Sequence, residues 1–324
     1  MMRRALVTGG AGYIGAHMVR LLLDGGWDVA VIDNLCTGHR SAVDRRARFH
    51  RIDLCDHSAT AVALAEENPD LVLHFAALSL VGESMAQPER YLRHNIDSTA
   101  SLLAAMRAAD CRALVHSSSC SVYGVAQTIP MDESHPIAPL SPYGESKAQC
   151  EMLIAEASSA WGLAAVALRY FNVAGCLDRS LAERHVPETH LIPNLLKAAV
   201  AGAPFDLYGT DHPTPDGTAI RDYIHVVDLA EAHRIAGEKL LAGSSSGFRA
   251  LNLGSGSGYS VRQVLAAVEA ATGRSLHVRT HAPRPGDPPE LRADTRRWQA
   301  WCGQPAAQHD LTAMIASAWQ AMQP

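Results

Sequence analysis

The chain has 324 residues, 48% hydrophobic and 19% charged, which is the composition of a compact globular protein with a large core. Its formal net charge of −5 gives no electrostatic reason to expect nucleic acid or an anionic membrane as a partner. Seven scattered cysteines with no C-x-x-C pair predict reduced thiols in the cytoplasm, and no apolar run approaches the ~18 residues needed to span a bilayer.

Short β-branched runs alternate with amphipathic segments through the first half of the chain. Strands are predicted at 5–8, 28–33, 48–53, 71–76, 113–118 and 165–170, with helices at 14–24 and 96–108. Alternation at this spacing predicts an α/β protein built on a doubly wound, parallel Rossmann-type sheet with helices on both faces.

After Asn172 the pattern changes. Residues 173–222 are expected to be rich in loops, because prolines recur there at short intervals. Further strands and helices are predicted at 223–226, 228–241, 251–253, 260–272 and 311–322, with a surface connection at 244–247 and a proline-rich turn at 283–289. The change predicts a smaller C-terminal substrate-binding domain.

A glycine-rich turn connects the first predicted strand to the first helix. Gly9, Gly12 and Gly15 give the spacing G-x-x-G-x-x-G. In such a turn the backbone approaches a pyrophosphate, and the helix N-terminus supplies N–H donors and a positive dipole. Asp33 ends the second strand; if it is not simply a turn or capping residue, its carboxylate binds the ribose hydroxyls and repels a 2′-phosphate. No basic residue follows at 34–37, so the sequence favours NAD over NADP.

Tyr143 and Lys147 are four residues apart, which places them on one face of a helix. A free tyrosine titrates near ~10, and an ammonium at roughly 5 Å lowers that pKa by ~2 units at an effective dielectric of ~20. Tyr143 is therefore the candidate base for a substrate hydroxyl, although Y-x-x-x-K also occurs as an ordinary exposed pair. Ser119 follows the fifth predicted strand, where ligands bind in such sheets, and is expected to hydrogen-bond the same hydroxyl.

Two further patterns are interpreted as structural. The glycine run 254–258 lacks the Lys-Ser/Thr ending of a P-loop and is expected to be a packing loop before the next helix. His277 and His281 lie on an alternating segment, where positions four apart are roughly 13 Å distant, so no shared metal is expected. The sequence predicts no metal site.

Taken in order, these residues resemble the extended short-chain dehydrogenase/reductase superfamily and, within it, the UDP-glucose/UDP-galactose 4-epimerase family. The first half matches through Val7-Thr8-Gly9-Gly10-Ala11-Gly12-Tyr13-Ile14-Gly15, Asp33-Asn34-Leu35, His74-Phe75-Ala76-Ala77, Val81-Gly82-Glu83-Ser84, Ser117-Ser118-Ser119 with Val122-Tyr123-Gly124, Ser141-Pro142-Tyr143-Gly144 and Leu168-Arg169-Tyr170-Phe171-Asn172. The second half, which is more diagnostic, matches through Asp216-Gly217-Thr218, Arg221-Asp222-Tyr223-Ile224-His225-Val226, Asn252-Leu253-Gly254 and Arg284-Pro285-Gly286-Asp287.

The resemblance implies a set of site residues. The catalytic residues would be Tyr143 as the base, Ser119 as its partner and Lys147 as the cation on the nicotinamide ribose. Contacts with NAD are expected from Gly9, Gly12, Tyr13, Ile14, Gly15, Asp33, Asn34, Leu35, Cys36, Thr37, Gly38, Asp53, Leu54, Phe75, Ala76, Ala77, Ser79, Asn95, Ser119, Tyr143, Lys147 and Phe171. Contacts with the UDP-sugar are expected from Ser119, Tyr143, Asn172, His190, Leu191, Leu207, Tyr208, Arg221, Arg284, Asp287 and Leu291. Considered alone, Arg221 is equally a surface pair for Asp222, and Asp287 a turn residue.

The same resemblance implies reversible 4-epimerisation of a UDP-sugar through a transient 4-keto intermediate, with tightly bound NAD. It also implies a homodimer and two domains. The NAD-binding Rossmann domain would comprise 1–172 and about 223–254, and the UDP-sugar-binding cap 173–222 and 255–324.

Three residues depart from the family pattern and leave specificity open. Ser79 stands where some members have a lysine near the cofactor, and His190 where some have a substrate-binding asparagine. Leu291 aligns with a gate that is tyrosine in strict glucose/galactose enzymes and small in those admitting N-acetyl groups.

Several alternative functions remain compatible with the sequence. An N-acetylhexosamine, a pentose or a uronic acid is an alternative sugar, and a nucleotide-sugar 4,6-dehydratase is an alternative reaction. The dehydratase is disfavoured because Cys120 and Ser121, not acids, follow Ser119. A non-catalytic NAD sensor is disfavoured by the intact Tyr/Lys/Ser set, and a serine hydrolase by the lack of a G-x-S-x-G elbow.

Overall fold

The computed structural model describes residues 2–243, 246–284 and 286–323. Residues 244–245 of the predicted surface connection, and Pro285 of the predicted proline-rich turn, lie outside the described residues. In chain order the strands are β1 (Arg4–Thr8), β2 (Asp28–Ile32), β3 (Arg48–His50), β4 (Leu71–His74), β5 (Ala113–Ser119), β6 (Ala164–Tyr170), β7 (Asn172–Ala174), β8 (Phe205–Tyr208), β9 (Ile220–Arg221), β10 (Tyr223–His225), β11 (Phe248–Leu253), β12 (Tyr259–Ser260), β13 (Val278–His281) and β14 (Glu290–Leu291). The helices are α1 (Tyr13–Asp24), α2 (His57–Glu67), α3 (Val81–Ala86), α4 (Pro88–Ala108), α5 (Pro142–Trp161), α6 (Leu191–Ala201), α7 (Val226–Leu241), α8 (Val261–Thr272), α9 (Arg296–Cys302) and α10 (Leu311–Met322).

A seven-stranded sheet has the order β11-β6-β5-β4-β1-β2-β3. β1 pairs in parallel with both β2 and β4, and the chain reverses its direction of travel across the sheet at that point. Strands β2 with β3 and β4 with β5 are also parallel. Since β5 is buried along its whole length, it is covered on both faces. The predicted doubly wound α/β sheet is confirmed, and its reversal point is where such sheets bind ligands.

The chain divides into two compact units. Unit 1 comprises Met1–Gly124, Pro136–Arg169 and Ala230–Leu251, and unit 2 comprises Val125–His135, Tyr170–Leu229 and Asn252–Pro324. The core of unit 1 contains the fully buried Leu6, Ile32, Leu64, Leu102 and Leu114, contributed by strands and by helices α2 and α4. These side chains fix the strand ends that carry the predicted cofactor residues.

Unit 2 has its own core between helices α6, α8 and α10, where Leu195, Val264, Val268 and Met314 are fully buried. Its strands form small sheets: β10 pairs with β7, β13 with β8, and β9 lies between β12 and β14. Within 173–222, the segment predicted to be rich in loops, the structure has the helix α6, which was not predicted. Pro193 was counted there as a helix breaker, but it is the third residue of α6, in the first turn, where a missing N–H costs no helical hydrogen bond.

Other predicted boundaries shift by small amounts. The helix expected at 96–108 begins eight residues earlier, at Pro88, and the strand expected to reach residue 53 ends at His50. The glycine run 254–258 lies between β11 and α8, as expected of a packing loop. Among the described residues, no helix combines the length and apolar character needed to cross a membrane.

Candidate active site

The glycine loop between β1 and α1 exposes its backbone at a helix start. Gly12 N donates to Gly9 O at 3.1 Å, and Gly12 is the N-cap of α1 without a side chain to cap it. Gly9 has a φ of +69°, and a Cβ there would lie 2.6 Å from Ala76 N; a Cβ on Gly15 would lie 2.2 Å from Gly9 O. Because only glycine fits both positions, the loop keeps a cradle of bare backbone suited to a pyrophosphate.

Asp33 follows β2 and is buried. Its carboxylate accepts hydrogen bonds from Ala11 N at 3.0 Å and from Leu35 N at 2.8 Å. Burial raises the pKa of Asp33, and these two N–H donors oppose the rise. The bond to Ala11 joins the carboxylate to the glycine loop, 22 residues earlier in the chain. Each oxygen keeps a further lone pair, which suits a ribose hydroxyl.

Most other predicted cofactor residues also lie at strand ends of unit 1, whereas Phe171 lies in unit 2. Asp53 follows β3, and its carboxylate accepts hydrogen bonds from Asn34 Nδ2 and Cys55 N, both at 3.0 Å. Ser79 is exposed. The structure thus brings Asn34 and Asp53 together, and their contact with a cofactor stays a prediction.

Asn95, on α4, is a predicted cofactor residue whose amide already has protein partners. Oδ1 accepts from Leu78 N at 2.8 Å, and Nδ2 donates to Leu78 O at 3.0 Å and to Ser146 Oγ at 2.9 Å. Both Nδ2 protons are therefore used within the protein. The amide clamps the segment after β4 to α5, a positioning role that the sequence did not indicate.

The first turn of α5 packs closely against the segment that follows β5. Ser141 caps the helix by accepting from Gly144 N at 3.1 Å. A Cβ on Gly144 would lie 2.1 Å from Ser121 O, so glycine permits this approach. Tyr143 is therefore held at the end of the sheet where Ser119 lies.

Ser119 and Tyr143 are both buried, with 7% and 9% of their surface exposed. Ser119 Oγ accepts from Ser121 N at 3.1 Å, which uses a lone pair and leaves its O–H as a donor. The tyrosine packs with Leu78 and Tyr91. A hydroxyl donor and a phenol thus occupy one end of the sheet.

Lys147 is buried, with 4% of its surface exposed, and Nζ donates to Ser117 O at 2.8 Å. Burial lowers the pKa of Lys147, while Cys150 and Glu151 oppose the change. The positive charge of Lys147 also affects two nearby histidines. Burial, and to a smaller extent this charge, lower the pKa of His74 to about 3. The same two causes depress the pKa of His116. Both imidazoles are therefore neutral near pH 7, and Lys147 supplies the positive charge.

A buried ion pair lies beneath these residues. Arg169 Nε donates to Glu151 Oε1 at 2.9 Å, its second nitrogen donates to Oε2, and each side chain is 7% exposed. Ser118 Oγ also donates to Oε1, and Arg169 donates to Tyr123 Oη at 3.0 Å. The sequence analysis missed Glu151, although its spacing from Lys147 is informative. The two residues are four apart on α5 and therefore lie on the same helix face.

In unit 2 the structure brings together four predicted substrate residues. Arg221 forms a part-buried ion pair with Asp287, and Asp287 N donates to Arg284 O at 3.2 Å. Arg284 Cζ lies 4.3 Å from the centre of the Tyr208 ring. The alternative pairing of Arg221 with Asp222 is wrong, because neighbouring residues of an extended segment point to opposite sides.

Asp222 is instead fully buried and organises three segments. It accepts from Ser255 N and Oγ at 2.8 and 2.7 Å, from Gly256 N at 3.0 Å and from Ala293 N at 2.9 Å. Burial raises the pKa of Asp222, and these donors oppose the rise. Sequence reasoning missed this role because the partners lie 33 to 71 residues away.

The remaining predicted substrate residues also belong to unit 2. Asn172 Nδ2 donates to Asp222 O at 3.0 Å, and Leu291 of β14 pairs with Arg221 of β9. Leu207 is buried on β8. Leu191 is the first residue of α6, preceded by His190. Their contact with a substrate stays a prediction.

A dinucleotide cradle at the reversal point of the sheet, with a Tyr/Lys pair at the end of β5, defines a nucleotide-dependent oxidoreductase-type site. A family model described as "NAD dependent epimerase/dehydratase family" matches residues 5–254, so the chain belongs to that family.

Within the family, the chain is similar to UDP-glucose 4-epimerases. It is 43% identical over 319 residues to the UDP-glucose 4-epimerase of Lactobacillus helveticus, covering 98% of this chain and 96% of that protein. The crystal structure of the Brucella ovis UDP-glucose 4-epimerase in complex with NAD matches with a TM-score of 0.93 and 43% identity, over 98% of this chain and 97% of that one. The Stenotrophomonas maltophila enzyme, solved with NAD and formylated UDP-arabinopyranose, matches with a TM-score of 0.94 and 36% identity, over 99% and 98%.

Proposed function

We propose that the chain interconverts the 4-epimers of a UDP-sugar, with UDP-glucose and UDP-galactose as the preferred pair and NAD as a resident cofactor. One observation carries the proposal: the buried ammonium of Lys147 lies one helical turn from Tyr143, in the unit that contains the dinucleotide cradle. A buried cation beside a phenol is useful to an enzyme that moves a hydroxyl proton. The nucleotide-sugar relatives support the choice of substrate.

The cradle suits NAD because a side chain at Gly9 or Gly15 would collide with backbone, while Asp33 offers carboxylate oxygens for ribose hydroxyls. When bound, NAD supplies reversible hydride acceptance at sugar C4, which permits return of the hydride to the opposite face. In unit 1 the protein contributes the proton chemistry. Tyr143 exchanges the proton of the 4-hydroxyl, the ammonium of Lys147 stabilises negative charge on the phenol oxygen, and Ser119 donates to the same substrate oxygen.

Unit 2 would hold the UDP portion. Guanidinium groups bind diphosphate through paired N–H donors, and Asp287 is suited to ribose hydroxyls. Arg221 and Asp287 already form an ion pair, so substrate binding would exchange one charged partner for another.

The test is Tyr143→Phe, measured by incubating the purified protein with UDP-galactose without added NAD and identifying the products. We expect turnover to fall by at least ~100-fold, since general acid–base catalysis typically contributes 10²–10⁴. Tyr91→Phe is the matched control, because Tyr91 packs in the same cluster and hydrogen-bonds Glu83. Its turnover should survive. Substantial epimerisation by a folded Tyr143→Phe variant would reject the assignment.

Specificity for the hexose depends on Leu291, which is intermediate in size between the gates expected for glucose and for N-acetylated sugars. UDP-N-acetylgalactosamine is therefore the second substrate to assay. A 4,6-dehydratase is disfavoured by the segment after Ser119, where Cys120–Val122 form a short 3-10 helix that offers no carboxylate. Release of a 4-keto-6-deoxy sugar would support that reaction instead.

We further propose a homodimer in the cytoplasm. None of the seven cysteines forms a disulfide in the described residues, which suits a reducing compartment. Light scattering coupled to size exclusion would measure the mass; a value near the 34.7 kDa of one chain would reject the dimer.

A further inference from the structure

Four potential metal ligands meet in the segment that leads into α6. They are Glu183, His185, Glu188 and His190, and one nitrogen or oxygen from each lies within 4.8 Å of the others. Glu183 Oε1 lies 3.0 Å from His185 Nδ1 and 2.9 Å from His190 Nδ1, and Glu188 Oε1 lies 3.0 Å from His190 Nδ1. All four belong to unit 2, whereas the predicted catalytic residues belong to unit 1; His190 is also one of the predicted substrate contacts.

In this cluster the carboxylates are buried and the imidazoles are more exposed. The side chains of Glu183 and Glu188 are only 10% and 5% exposed, against 24% for His185 and 45% for His190. Two buried carboxylates that face one point are stabilised by a positive charge placed there. The exposed histidines leave the cluster accessible to an ion from solvent.

A proton network is the competing explanation, in which a protonated His190 and Lys197 satisfy the two acids. Lys197 Nζ lies 3.4 Å from Glu188 Oε2, and its side chain is 47% exposed. That network requires only one histidine, yet His185 also faces Glu183 Oε1. Two imidazoles and two carboxylates meet here, which is more groups than neutralisation of the two acids requires.

We propose that Glu183, His185, Glu188 and His190 form a binding site for a divalent transition metal, with Zn²⁺ the best match. Imidazole and carboxylate together suit Zn²⁺ better than Mg²⁺ or Ca²⁺, which prefer oxygen ligands alone. A tetrahedral Zn²⁺ with ligands at ~2.0–2.2 Å separates neighbouring ligand atoms by roughly 3.3 Å. The three hydrogen-bonded pairs, at 2.9 to 3.0 Å, would open by a few tenths of an ångström, and every other pair of ligand atoms already lies within 4.8 Å. The metal would replace the protons that the histidines and carboxylates now share, and it would hold residues 183–190, before α6, in one conformation.

This inference does not rest on the proposed epimerase function, and its test does not use activity. The holoenzyme, stripped with a chelator and dialysed, is titrated calorimetrically with ZnCl₂. We expect one equivalent to bind, and His185→Gln and Glu183→Gln each to weaken the affinity by at least ~100-fold, beyond the cost of losing an outer-shell partner. His281→Gln is the control, because His281 is also a partly exposed histidine of unit 2 and pairs with a single carboxylate, Asp206, at 2.8 Å. Its titration should match that of the parent protein.

A second cluster, Asp53, Cys55 and His94, is the alternative source of any bound zinc. Cys55→Ser separates the two, since zinc held by the proposed site survives this change. X-ray absorption of the parent protein loaded with Zn²⁺ avoids variants that fail to fold, and should report nitrogen and oxygen ligands at ~2.0–2.2 Å without sulfur. Absence of stoichiometric binding, a sulfur ligand, or equal affinity in folded His185→Gln and parent protein would each overturn the proposal.

Discussion

Separating the two charges of the buried Glu151–Arg169 pair should destabilise unit 1 far more than removing both. In Glu151→Gln, one carboxylate oxygen becomes an NH₂ group that faces the donors of Arg169. The guanidinium then stays buried without its counter-charge. In Arg169→Met, the carboxylate keeps only the Ser118 hydroxyl as a partner from this network.

The expected magnitudes follow from burial. Breaking a buried ion pair by removing one partner costs about 3–5 kcal/mol, and both side chains here are 7% exposed. Replacing the pair with apolar residues of similar volume removes the stranded charge. The double variant Glu151→Leu/Arg169→Met should therefore lose only about 1–3 kcal/mol, chiefly because Ser118 and Tyr123 lose hydrogen-bond partners. The two single losses would sum to about 6–10 kcal/mol, so the coupling is several kcal/mol.

Urea unfolding followed by circular dichroism measures these differences. With an m-value of about 3 kcal/mol/M, each single variant should shift the midpoint down by about 1–2 M, and the double variant by less than about 1 M. Additive losses in the double variant would refute the reasoning. So would a single variant as stable as the parent protein.

Three further predictions concern the cofactor site and acid stability. Asp33→Ser should weaken NAD retention about 10–100-fold, measured as NAD released after denaturation of the purified protein, because the two charge-assisted hydrogen bonds proposed between its carboxylate and the ribose would become weaker. Gly15→Ala should abolish NAD retention because the new Cβ would lie 2.2 Å from Gly9 O, whereas Gly82→Ala, with nothing within 4 Å, should keep it. Burial opposes ionisation of Glu67, but hydrogen bonds from Arg48 and His50 lower its pKa below 4.5, so its stabilising effect is complete above pH 4.5 and fades in more acidic solution.

Each of these predictions has a contradicting result. Unchanged NAD content in Asp33→Ser, or equal NAD loss in Gly15→Ala and Gly82→Ala, would remove the proposed role. For Glu67, urea unfolding of Glu67→Gln and the parent protein should differ by about 1–3 kcal/mol at pH 7 and converge below pH 4.5. A difference that stays constant down to the acid limit would reject the linkage.

The sheet was predictable because its signal is local. Strands β1, β2 and β4 are short apolar runs, and β1 and β4 are each followed directly by an α-helix. Helix α6 was not predicted because Pro193, a residue typical of helix ends, lies within its first turn. The start of α4 was not predicted because its first turns are mostly polar.

The candidate site was predictable only where its residues are close in sequence. The glycine loop and the Tyr143/Lys147 pair are single-segment patterns. By contrast, Glu151 acts through Arg169, 18 residues away, and Asp222 acts through segments up to 71 residues away. The Glu183–His190 cluster lies in a segment without regular secondary structure, so the meeting of its two Glu-x-His pairs is visible only in three dimensions.

Asp222 has a consequence for the engineering of sugar preference. Asp222 N donates to Leu291 O at 2.9 Å, and its carboxylate accepts from Ala293 N, so the backbone from the Leu291 carbonyl to Ala293 N is anchored to one residue. Substitutions at Leu291 should therefore alter side-chain volume with little displacement of the main chain. If Leu291 is the proposed gate, a graded series of substitutions from alanine to tyrosine would measure how much space each sugar substituent requires. Replacing the segment around Leu291 with that of a relative would require replacement of the glycine run 254–258 as well, because both segments hydrogen-bond to the carboxylate of Asp222.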